Sequence, residues 1–343
     1  MGRLTRILAL VLGLLFATGI IGILYVRHYV HSPLPLAQSE IFSISPGQGT
    51  SSVAGQLERD GLLKHSRLFS LYARYLGVAS NIKAGEYLID AGQTPAGLLS
   101  QFVEGRVVLH SLTLVEGWTF RQALDAIRSH PAVDAVLNID DGSTIVRLAK
   151  LPTDSPEGWL LPETYHFPRG TTDIELLSLA ANAMRDSLAD AWDARDEGLP
   201  LKNSYEALIL ASIVEKETGI ESERSRIAGV FVRRLKKGMR LQTDPTVIYG
   251  LGASYTGNLR RSDLERDTPF NTYTRHGLPP TPIALPGMGA LLAVAHPADE
   301  DALYFVATGK GDGTHYFSKT LEEHNQAVAR YLARLRESRG KAK

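Results

Sequence analysis

A chain of 343 residues is too long for one typical domain and suits two or three. Hydrophobic residues make up 44% and charged residues 22%, which excludes a disordered chain, and 37 basic against 37 acidic residues leave no net charge to favour nucleic acid as a partner. The absence of cysteine excludes disulfides, thiol nucleophiles and cysteine-held zinc, and fits any compartment.

Residues 7–26, ILALVLGLLFATGIIGILYV, carry no charge. A helix of that length rises about 30 Å, the thickness of a bilayer core. A cleavable signal peptide has a shorter apolar stretch, roughly 7–15 residues, followed by a small-residue cleavage site. This run instead continues into Tyr25-Val26-Arg27-His28-Tyr29, so an uncleaved anchor is expected over residues 1–31. Arg3, Arg6 and the terminal amine precede it and Arg27 follows it, which points to a cytoplasmic N-terminus with the bulk of the chain outside.

Residues 32–39 read as a Pro-containing tether. Three stretches then repeat a strand, a turn, a Thr cap and a helix: 41–57, 84–102 and 110–127, with helical spacing starting after Thr50, Thr94 and Thr119. Thr94-Pro95 is a good cap followed by proline at the first helical position. Their periods are unequal, which excludes a solenoid, and residues 40–135 are expected to form a small α+β domain. The less regular stretch 134–156 connects to a larger domain, 136–343. There the spacing predicts an amphipathic helix over 174–192 and a second helix over 204–218, with Asn203 as N-cap and Gly219 as stop. A third helix is capped by Ser222 and ended by Gly238. The stretches 240–252 and 271–287 are polar and rich in Gly and Pro, 303–318 reads as a β-hairpin, and 321–336 as a closing helix. The fold class expected is α+β behind an N-terminal transmembrane helix.

The helix over 204–218 contains LILASIVEKETG, with Glu215 and Glu217 near its end. On a helical wheel Glu215 shares a face with Leu208, Ala211 and Ser212, whereas Glu217 lies nearly opposite among Glu206, Leu210, Ile213 and Val214. The helix is apolar most of the way round, as a buried helix is. A partly desolvated carboxyl keeps its proton near neutrality, which is the state needed to protonate a glycosidic oxygen. Ala211 and Ser212 are small enough to leave room for a substrate beside Glu215. The plainer alternative is that EKE forms a solvated last turn. The loops add Gln242, Thr243, Asp244, Tyr249, Asn271, Tyr273 and His276, and residues 158–171 add Trp159, Glu163, Tyr165 and Arg169. Amides, hydroxyls and aromatic faces are what bind sugars; the same side chains also serve to satisfy loop backbone.

LILASIVEKETG, MRLQTDPTVIYG, LPETYHFPRGT, NTYTRHGLPPTPIALPG, AHPA, the YFVATGKGDGTHYFS hairpin and His324-Asn325 together resemble the YceG-like family of endolytic murein transglycosylases. The resemblance runs from the anchor to the last helix with the motifs in order. It implies a LysM-like subdomain within 40–135 and a catalytic domain over 136–343. It also implies one catalytic glutamate on the ASIVEKE helix, carried here to Glu215, with Glu217 as runner-up. The implied reaction cleaves the β-1,4 bond between MurNAc and GlcNAc without water and leaves 1,6-anhydro-MurNAc ends. The glycan cleft is then expected to be lined by Gln242, Thr243, Asp244, Tyr249, Asn271, Tyr273, Glu163 and Tyr165. Partners implied are peptidoglycan strands, the cell inner membrane and peptidoglycan synthases, with the catalytic domain periplasmic and no cofactor or metal.

Other signals are weak. No HExxH or G-x-S-x-G occurs. Ser80-Asn81-Ile82-Lys83 matches S-x-x-K without a K-T-G partner, and GKGDG at 309–313 is a hairpin turn rather than a phosphate loop. Two readings compete: a cell-wall scaffold that grips glycan through the N-terminal units without turnover, and an inverting muramidase that shares the cleft and uses water.

Overall fold

A computed structural model describes residues 2–137, 142–148, 150–151 and 153–341. The fold is mixed α+β, and the chain divides into two compact units. The first comprises residues 1–110 and 166–170, the second 111–165 and 171–343. The division thus falls at 110–111, upstream of the 135 expected from sequence, and the third strand-turn-helix repeat lies mostly in the second unit.

In the first unit, α1 (Arg3–His31) is a single helix whose apolar side chains are exposed over residues 7–25. Its 26-residue apolar stretch is consistent with a single-pass membrane anchor. β1 (Glu40–Ile44), α2 (Thr50–Arg59), α3 (Ser66–Tyr75), β2 (Gly85–Ile89) and α4 (Pro95–Glu104) follow. β1 and β2 pair antiparallel with Phe42 opposite Tyr87, so the inward face of the ribbon meets Phe102 of α4 and buries all three rings. The Thr94 hydroxyl accepts from Gly97 N–H and caps α4, as its sequence dictates. α3 was not legible as a helix. Residues 32–39 are no free tether: Leu34 is buried in this core and its N–H donates to the Gln93 carbonyl at 2.7 Å.

β3 (Leu109–Thr113) pairs with β5 (Thr164–Pro168), and the division between the units falls within both strands. Between them lie α5 (Phe120–Ser129), opened by a Thr119–Gln122 capping box, β4 (Val133–Asp134) and α6 (Gly142–Leu148). β6 (Thr171–Thr172) pairs parallel with β4 and leads into α7 (Asp173–Asp193).

The centre of the second unit is α8 (Ser204–Glu217), capped by Asn203 accepting from Glu206 N–H. Residues 207–214 are all buried, because α7, α9 (Glu221–Lys236), α10 (Asp244–Leu251) and α12 (Met288–Ala295) surround them. α9 starts one residue before the expected cap: Ile220 precedes it and Ser222 lies inside the first turn, where Glu221 and Glu223 complement the helix dipole. α10 replaces part of an expected loop; Pro245 in its first turn starts the helix rather than breaking it. α11 (Arg261–Glu265) is short. The expected hairpin is present as β7 (Tyr304–Ala307) and β8 (His315–Ser318), with Phe305 opposite Phe317, and it packs on α13 (Leu321–Lys341).

Candidate active site

The last turn of α8 projects its two glutamates in different directions. Glu217 lines a cleft of about 470 Å³ together with Gln242, Thr243, Asp244 and Tyr273, while β7, β8 and the start of α13 form the rest of the wall. Its carboxylate accepts a hydrogen bond from the Thr243 hydroxyl. Burial pushes the Glu217 pKa up to about 7, against the Thr243 hydroxyl, which pulls it down; the neighbouring Asp244 charge adds to the rise. Near neutrality this group therefore exists both with and without its proton.

The turn that carries these partners is tied down. Gln242 takes a left-handed backbone (φ 51°) and donates its N–H to the Thr272 carbonyl. Thr243 N–H donates to the Thr272 hydroxyl at 3.1 Å, and Thr246 Oγ1 donates to the Thr243 carbonyl at 2.8 Å. Tyr273 donates its hydroxyl to Asp244 at 2.5 Å, so a second carboxylate stands in the same cleft. The floor is cationic. Arg234 donates Nε to the Leu303 carbonyl and an Nη to the Leu241 carbonyl, both at 2.7 Å, and lies over the Tyr304 ring. His324 stacks on Tyr304 with centroids 5.2 Å apart. On the hairpin, His315 gives its N–H and Nδ1 to the two oxygens of Glu223, at 3.0 and 2.7 Å. A carboxylate only accepts, so this pairing places the proton on Nδ1.

Glu215 is elsewhere. Its Oε2 accepts from Gly287 N–H at 3.0 Å, and its Oε1 lies 3.7 Å from Arg224, which also reaches Glu116 at 3.1 Å. Burial raises its pKa, with the Gly287 N–H opposing. The face it shares with Ala211 and Ser212 leaves no space for substrate. Both residues are fully buried, and the Ser212 hydroxyl accepts from Ile283 N–H while donating to the Ile209 carbonyl. The segment 283–287 fills the gap that small side chains leave.

A profile of the YceG-like family matches residues 42–330. The chain belongs to the YceG-like family. This YceG-like chain is 32% identical to the endolytic murein transglycosylase of Bacillus subtilis, an alignment covering 85% of this chain and 84% of the relative. It is 30% identical to the endolytic murein transglycosylase of Streptococcus pneumoniae D39, over 94% of this chain but 64% of that protein, so it spans somewhat less than two thirds of the pneumococcal relative. Among solved structures it resembles a yceG-like protein of Listeria monocytogenes at 30% identity and a TM-score of 0.50, covering 84% of this chain and 99% of the other.

The remaining residues named from sequence lie outside the cleft of this YceG-like chain, each for a visible reason. Asn271 is buried and holds a loop: its Nδ2 donates to the carbonyls of Asp263, Leu264 and Arg266, and its Oδ1 accepts from Tyr273 N–H. Tyr249 donates to Glu157 at 3.1 Å. Tyr165 is buried with its hydroxyl on the Leu161 carbonyl. Glu163 is exposed and engages through its backbone carbonyl, which accepts from Leu114 N–H. Conversely, Arg234 and Tyr304 were not foreseen in the cleft. An arginine on an otherwise apolar helix stripe was the available signal for the first. The His324-Asn325 pair had been singled out only as a motif.

Proposed function

We propose that this chain is an endolytic peptidoglycan lytic transglycosylase, and that Glu217 rather than Glu215 is its acid and base. Family membership and the names borne by its relatives support the activity. The observation that carries the residue assignment is that Glu217 lines the cleft beside Asp244 and Tyr273, while Glu215 is occupied by Gly287 and Arg224.

The chemistry follows from one group titrating near neutrality. Protonated Glu217 gives its proton to the GlcNAc O4 as the bond from MurNAc C1 to that oxygen breaks. The resulting carboxylate takes the proton of the MurNAc 6-hydroxyl as O6 bonds to C1, closing the 1,6-anhydro ring and restoring the acid. The substrate supplies the nucleophile, so one carboxyl serves both steps. Thr243 steadies the carboxylate form. Glu215, two residues earlier on α8, acts as a positioning group that fastens the helix end to Gly287.

The catalytic unit lies outside the cytoplasmic membrane, N-terminus inside, where it cuts nascent glycan and limits strand length alongside peptidoglycan synthases. The β1–α4 part of the first unit is a LysM-like glycan-binding module, and the second unit, 111–165 and 171–343, is catalytic. A second reading rests on Asp244: a second carboxylate in the cleft is what a water-using muramidase needs as base.

The full-length chain in detergent, given uncrosslinked glycan strands, separates these by the mass of the new ends. Anhydro-MurNAc ends that vanish in Glu217→Gln support the proposal. Reducing ends support the muramidase, and glycan bound without cleavage supports a scaffold.

A further inference from the structure

A separate cavity of about 270 Å³ lies in the first unit at the C-terminal end of α1. Tyr25, His28, Tyr29 and Ser32 supply one wall, Lys64 and His65 the other, over a floor of buried Leu34 and Leu63. Charge-free residues end at Val26, and six residues of helix rise only about 9 Å. With α1 crossing a bilayer, the cavity therefore stands at headgroup height, where tyrosines concentrate.

The opposite wall is held in place from α1 itself. Tyr29 donates its hydroxyl to the Lys64 carbonyl at 2.5 Å and meets the His65 ring edge-on, 5.9 Å between centroids. His65 adopts a left-handed backbone (φ 58°), which turns the 64–65 corner toward the helix. Leu34, buried and hydrogen-bonded to Gln93, stops this unit from swinging away from the end of α1.

The electrostatics favour an anion. No carboxylate lines the cavity. Glu58, the acidic group near His65, is taken by the N–H and hydroxyl of Ser66. Among the described residues, no carboxylate or carbonyl takes the Lys64 ammonium. The C-terminal end of the α1 dipole opposes an anion, with roughly half a charge. Ser32 answers part of that, its hydroxyl donating to the His28 carbonyl and its N–H to the Tyr29 carbonyl. A full charge on Lys64 outweighs the remainder.

We propose that this juxtamembrane cavity binds the phosphate of a membrane phospholipid headgroup, with Lys64 and His65 on the phosphate and Tyr25 and Tyr29 beside the glycerol. The bound lipid fixes the height of the first unit above the bilayer. The proposal rests on α1 being the anchor and is independent of the chemistry proposed for Glu217.

Native mass spectrometry of the full chain, released from detergent with added dioleoylphosphatidylglycerol, tests it. The expected result is one tightly retained lipid per chain. Retention falls about tenfold in Lys64→Glu, the loss of one charge-assisted contact, and falls in the milder Lys64→Gln. It is unchanged in Lys237→Glu, a control just past the end of α9. Dioleoylglycerol, which has the tails without the phosphate, is not retained, and inorganic phosphate does not displace the lipid. Equal retention by the Lys64 variants, or of dioleoylglycerol, overturns the site. Displacement by inorganic phosphate at matched concentration makes it a free-phosphate site and overturns the lipid. Membrane fractionation of the same variants reports on the anchor separately, since a failed anchor leaves the chain in the soluble fraction.

Discussion

Glu215 Oε2 accepts the backbone N–H of Gly287 at 3.0 Å. That bond ties the last turn of α8 to the loop leading into α12, two residues before the glutamate that lines the cleft. A Cβ on Gly287 would meet Glu116 Oε1 at 1.9 Å, so a side chain there would push the Glu116 carboxylate aside. The two glutamates of the EKE triplet thus part ways, one fastened to Gly287 and one lining the cleft.

The division predicts an asymmetric mutant pair. Glu217→Gln loses both acid and base and is expected to lower turnover by about 10²–10⁴-fold. Glu215→Gln keeps an acceptor for Gly287 and loses less than about tenfold, whereas Glu215→Ala, with no acceptor, loses more. Release of anhydro-ended glycan measures all three. A dead Glu215→Gln beside an active Glu217→Gln would return the role to Glu215.

The rate should also titrate. The first step needs Glu217 protonated, and its pKa stands at about 7, so turnover is expected to decline as pH rises through 7. The Thr243 hydroxyl pulls that value down. Thr243→Val therefore moves the alkaline limb to higher pH. A pH–rate profile with an unmoved limb sinks the link between Thr243 and the titrating group.

Glu157 offers a stability test away from the cleft. It is buried, accepts from Phe120 N–H at 2.8 Å and from Tyr249, and burial pushes its pKa up to about 7. A raised carboxyl pKa favours the folded state fully below its unfolded value near 4.5, and this contribution is lost as pH rises through 7. Glu157→Gln keeps the acceptor and cannot ionise. It is expected to match the parent near pH 4 and exceed it at pH 8, by about 3 kcal/mol. Denaturant melts at the two pH values decide it; an equal difference at both refutes the ionisation.

Ser212 tests the packing that excludes substrate from the Glu215 face. Its buried hydroxyl accepts from Ile283 N–H at 3.0 Å. Ser212→Ala strands that N–H and should cost about 1–3 kcal/mol of stability. A variant as stable as the parent would mean the 283–287 segment is held some other way.

Much was legible without coordinates. Twenty uncharged residues can only be a long apolar helix, because a bilayer-length run leaves no polar face to place in water. Thr94, Thr119 and Asn203 cap their helices as their side chains require, and the Gly-Asp-Gly turn places the hairpin. Family resemblance was readable from motif order. What tertiary structure alone decided was the direction of two carboxyls. α8 is buried on every side, so periodicity marks no outer face and small neighbours look like a substrate gap until the 283–287 segment is seen to fill it. The cleft joins the end of α8, the 242–244 turn, Tyr273, the hairpin and α13, stretches spread over about a hundred residues. Which polar loop residues face it, as Tyr273 does, and which turn inward to bond backbone, as Asn271 does, depends on contacts that no local spacing encodes.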